Sequence, residues 1–67
     1  MSFTQSKVIG WRTPSMCANS ECAQLSQQGN EVLLRSTRAP SEITRLTVAE
    51  WHALVQSIQA GEFSDLG

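Results

Sequence analysis

The stretch from Leu46 to Gly61 constrains this chain more than any other. Thr47 precedes a periodic apolar run and Glu50 stands three residues later, the S/T-x-x-E pattern in which side chain and backbone cap each other reciprocally. Leu46, just before the cap, and Trp51, at the fourth helical position, have the spacing of a hydrophobic staple. Val48, Trp51, Leu54, Val55 and Ile58 recur at intervals of three and four and draw one apolar stripe. Glu50, His52, Gln56 and Gln59 fall elsewhere on the wheel. Gly61 follows the last turn at the C′ position, where glycine accepts the left-handed backbone. The pattern specifies an α-helix.

A helix of about thirteen residues is marginal alone in water, so its stripe must dock on something. The rest of the chain offers a sheet. Cys22–Gln27 and Glu31–Ser36 flank Gln28-Gly29-Asn30, where Gly and Asn supply the positive φ of a tight hairpin turn. A second turn over residues 37–41 leads to a third short strand, Glu42–Leu46. Val8–Arg12 reads as an edge strand weakened by Gly10, which gives the sheet three strands, or four if this one pairs. The fold class is therefore α+β: a small three- or four-stranded antiparallel sheet with one C-terminal helix on one face. Residues 1–7 are an N-terminal arm, 8–63 a single domain and 64–67 a tail. Alternation along the strands assigns Leu25, Val32 and Leu34 to the core with Trp51, Leu54, Val55 and Ile58.

Leu33 points to the other face, beside Arg35. That face has no helix to cover it. Leu33, Arg35, Trp11 and Cys22 are accordingly the candidate interface, fitted to a second copy of the chain as a homodimer. Trp11 either caps the core or sits in that interface. Arg35, Arg38 and Arg45 read as solvated strand and turn residues rather than a basic patch.

Size and charge narrow the function. A chain of 67 residues, 40% hydrophobic, buries only about 60% of its unfolded surface, which weighs against an enzyme with a deep cleft. A net charge of −1 disfavours autonomous nucleic-acid binding, since phosphate neutralisation needs clustered Lys and Arg. No apolar run approaches the roughly 18–20 residues of a membrane helix, and Met1–Ser6 lacks the layout of a secretory signal. The expected location is cytoplasmic, with Cys17 and Cys22 as thiols. Their spacing is neither C-x-x-C nor a complete zinc set. Zinc would require His52 as a third ligand and Glu21 as a fourth; the plainer reading makes Cys22 a small buried hydrophobe and places Cys17 in a loop. Neither metal nor cofactor is expected. His52 lacks a positioned nucleophile, no serine lies in an elbow or triad context, and the four glycines are scattered. Catalytic residues are not expected.

Several motifs occur in order: Trp11-Arg12-Thr13-Pro14-Ser15, Glu21-Cys22-Ala23-Gln24-Leu25, Val32-Leu33-Leu34-Arg35-Ser36-Thr37-Arg38, Leu46-Thr47-Val48-Ala49-Glu50-Trp51 and Ala60-Gly61-Glu62-Phe63. Together they resemble the actinobacterial family called domain of unknown function 397, which includes the BldB-type developmental proteins. The resemblance runs from Trp11 to Phe63. Its departures are Pro14 in place of Ser, Gln24 in place of an acidic residue, and Ser36-Thr37-Arg38 in place of Asp-Ser-Lys. The resemblance implies a small regulatory protein, encoded beside a helix-turn-helix transcription regulator and linked to development or secondary metabolism. Protein–protein contact with that regulator is the implied mechanism. A toxin-like effector neutralised by the regulator, in a toxin–antitoxin arrangement, is the alternative from another class. A thiol or zinc sensor using Cys17 and Cys22 is a third.

Overall fold

A computed structural model describes residues 10–67 as an antiparallel sheet followed by one helix. Strand β1 spans Ala23–Gln28, β2 Glu31–Ser36 and β3 Thr44–Thr47, and helix α1 spans Val48–Gln59. The strands lie in the order β1-β2-β3. The α+β class read from the sequence is the observed one.

The hairpin is one residue tighter than the sequence suggests. Gln28 pairs with Glu31, leaving a two-residue loop of Gly29 and Asn30, with Gly29 at φ +56°. Two-residue loops with positive φ match the natural twist of paired strands, so β1 gains Gln28 and loses Cys22 at its other end. The third strand also shifts, from Glu42–Leu46 to Thr44–Thr47. The Glu42 N–H is held in a turn by the Ala39 carbonyl at 3.0 Å, which keeps Glu42 out of the ladder. Val8 and Ile9 of the expected edge strand lie outside the described residues, as does the 1–7 arm. Among the described residues a fourth strand is reduced to a single bridge, Arg12 to Leu25, with both backbone bonds made at 2.7 and 3.0 Å.

Thr47 ends β3 and caps α1 at once. Its Oγ1 accepts from the Glu50 N–H at 3.0 Å while Glu50 Oε1 accepts from the Thr47 N–H at 2.8 Å, completing the capping box. At the other end the Glu62 N–H donates to Ser57 O and the Gly61 N–H to Ile58 O, with Gly61 at φ +81°. These paired bonds make a Schellman motif, so the last carbonyls of the helix are satisfied.

The pairing register divides the sheet into two faces. Leu25, Leu34 and Thr44 lie side by side on one, as do Gln27, Val32 and Leu46. Ser26, Leu33 and Arg45 form a row on the other. The buried apolar side chains are few among the described residues: Cys22, Val32 and Leu33. Of the expected core, Val32 is buried, whereas Leu25, Leu34, Trp51, Leu54 and Val55 are only half-buried. Ile58 is 55% exposed and is not a core residue. Among the described residues the sheet is short against the twelve-residue helix, and the last turn of the stripe is left exposed.

Candidate interaction site

The face assigned to an interface is assembled as expected but is already closed over. Extending the Arg12–Leu25 pairing by one residue sets Trp11 opposite Ser26, in the same row as Leu33. The Arg35 guanidinium carbon lies 4.0 Å from the centre of the Trp11 ring, a cation–π stack. Ser26, in that row, is 4% exposed. Leu33 is 3% exposed, and Cys22 is buried too. Leu33 and Cys22 are therefore core residues, and the expected apolar surface patch is corrected accordingly.

Polar bonds hold this cover in place. Thr13 Oγ1 accepts from Gln24 Nε2 at 3.0 Å, and Gln24 Oε1 accepts from Arg35 Nε at 2.9 Å. The chain thus runs across the sheet and orients the guanidinium over Trp11. Arg45 donates to Glu31 Oε1 through Nε and Nη2, at 3.0 and 2.6 Å, on the exposed side of the same face. An ion pair this exposed contributes at most about 1 kcal/mol.

Cys17 and Cys22 form a disulfide, with Cα atoms 5.9 Å apart. The expectation of two free thiols is overturned. A turn in which the Cys17 N–H donates to Pro14 O brings Cys17 back toward the start of β1. Thr37 clamps the corner from the far side: its Oγ1 accepts from the Cys22 N–H at 2.9 Å and donates to Ser20 O at 2.6 Å. The weak zinc candidates Cys17, Cys22 and His52 are not gathered as ligands. The sulfurs are bonded to each other, and among the described residues no three His, Cys, Asp or Glu side chains converge.

On the opposite face the first turn of α1 meets the sheet and leaves a cavity of about 130 Å³. Leu25, Val32, Val48 and Trp51 supply its apolar lining, and Arg12, Ser26, Gln27 and His52 the polar part. Among the described residues the Arg12 guanidinium has no carboxylate partner. Sequence reasoning missed this place. The capping box foretells where Val48 and Trp51 sit on the helix, but only the strand register brings Arg12 and Leu25 beside them. The lining is mixed, with Arg12, Ser26, Gln27 and His52 beside the four apolar residues, a combination that can take an aliphatic side chain flanked by a carboxylate. No helix of the described residues is long and apolar enough to cross a membrane.

Comparison with models of protein families, with curated proteins and with solved structures finds no match to this chain.

Proposed function

We propose that this protein is a small non-enzymatic regulatory module that acts by contact with proteins, first with a second copy of itself and then with a helix-turn-helix transcription regulator. One observation carries the contact reading. Among the described residues the buried apolar side chains are Cys22, Val32 and Leu33, while Met16, Ile43, Ile58, Phe63 and Leu66 are all more than 40% exposed. So small a core with so much apolar surface outside it favours association, because that surface gains by leaving water. The regulator as partner rests on the family resemblance alone, and cytoplasmic residence belongs to the same proposal. Two measurements test it. Sedimentation of the purified chain reports self-association, and co-purification with the regulator encoded beside it, with a shift in operator binding, reports the second contact. A chain that stays monomeric and leaves operator binding unchanged overturns the reading.

The Cys17–Cys22 disulfide favours a second reading, a thiol switch. Such bonds persist in oxidising compartments and are transient in a reducing cytosol. Alkylation of the chain in intact cells distinguishes the two states. A bond that never forms there removes the switch.

A further inference from the structure

The cavity and the C-terminal turns lie at opposite ends of the same helix, and their chemistries match. At the N-terminal end the cavity is lined by apolar Leu25, Val32, Val48 and Trp51 and by the cationic side chain of Arg12, with Ser26, Gln27 and His52 completing it. Past the C-terminal end, Glu62, Phe63, Asp65 and Leu66 are carried by consecutive turns, with the Ser64 N–H bonded to Gly61 O and the Leu66 N–H to Phe63 O. Phe63 is 41% exposed and Leu66 is 70% exposed. So an exposed isobutyl group sits beside a carboxylate, and a cavity of suitable polarity waits elsewhere. The cavity volume of about 130 Å³ is enough for a single leucine side chain.

Within one copy the two cannot meet. Twelve helical residues span about 18 Å, and the Schellman bonds and the following turns pin the tail at the far end. Two copies related by a two-fold axis, with their helices antiparallel, bring each tail to the other's cavity twice over. We propose that the protein self-associates in this way, with Leu66 of each copy seated in the partner cavity and Asp65 facing Arg12. This rests on the self-association reading above and names its surface.

Sedimentation velocity on the full, oxidised chain tests it, with circular dichroism confirming that each variant stays folded. Leu66→Ser is expected to weaken the dimer at least about tenfold, the factor that corresponds to part of one leucine's burial at two sites. Arg12→Glu and Asp65→Arg are each expected to weaken it, and the two reversals combined in one chain to restore it. A dimer that all three single variants leave unchanged overturns the proposed surface while self-association stands. A wild-type chain that is monomeric at every concentration overturns both. A chain that dimerises only after removal of residues 1–9 also overturns the proposed occupant, since it assigns the cavity to the chain's own N-terminal segment.

Discussion

Leu33→Ala separates a core residue from a surface patch, because the two roles demand opposite outcomes. Leu33 is the least exposed apolar residue described, in a row between Ser26 and Arg45. Removing three carbons forfeits about 2.4 kcal/mol at roughly 0.8 kcal/mol per buried methylene. A residual void adds to this, with measured Leu→Ala losses of about 2–5 kcal/mol depending on how far the walls collapse. Trp11 and Arg35, stacked on each other on the same face, are only half-buried and can settle toward the gap. The expected loss is therefore in the lower part of that range, about 2–3 kcal/mol. A 67-residue domain has a total stability of about 3–10 kcal/mol, so this is a large share of it. The melting temperature should fall on the order of 10–20 °C. Urea titration followed by tryptophan fluorescence, with wild type and variant at one protein concentration, measures the difference directly. A loss below about 1 kcal/mol, with a change only in oligomeric state, would place Leu33 at an interface and refute the assignment.

Other expectations follow from local geometry. Thr47→Ala removes the acceptor for the Glu50 N–H and should cost about 1 kcal/mol, seen as an earlier urea midpoint and lower helicity; no change would mean that the capping box does not form. Gly61→Ala forces a Cβ into a backbone at φ +81° and should cost about 1–2 kcal/mol, whereas Gly10→Ala, with open space around its Cβ, should be close to neutral in the same titration. Reducing Cys17–Cys22 opens a short loop with a sequence separation of five, for which the chain-entropy relation gives about 2 kcal/mol at 25 °C. Melting with and without a dithiol reductant measures that difference, and superimposable curves would contradict it. Ser26→Leu places a large side chain at a buried position and should destabilise by about 1–3 kcal/mol; a neutral result would show that Ser26 is not enclosed.

The sequence alone determined the local features. The capping box at Thr47 and Glu50, the C′ glycine and the hairpin around Gly29 are written in residues a few positions apart, because each is closed by hydrogen bonds or dihedrals within a single turn. The antiparallel sheet with a C-terminal helix followed from those pieces and from the strand pattern. The strand limits at Gln28 and Thr44 were not legible, since a one-residue change of loop length is settled by how the whole ladder pairs.

Tertiary structure decided which apolar residues are inside. Alternation put Leu33 on a face without a helix, but whether that face is bare depends on Trp11, more than twenty residues away, joining the sheet through Arg12. Ile58 has the periodicity of a core residue and lies exposed, because the stripe outruns the sheet beneath it. The pairing of Cys17 with Cys22 likewise needed the turn at Pro14 and the Thr37 clamp to bring the sulfurs together. Contacts between distant segments arise from register and closure of the chain in three dimensions. Spacing along the sequence carries neither.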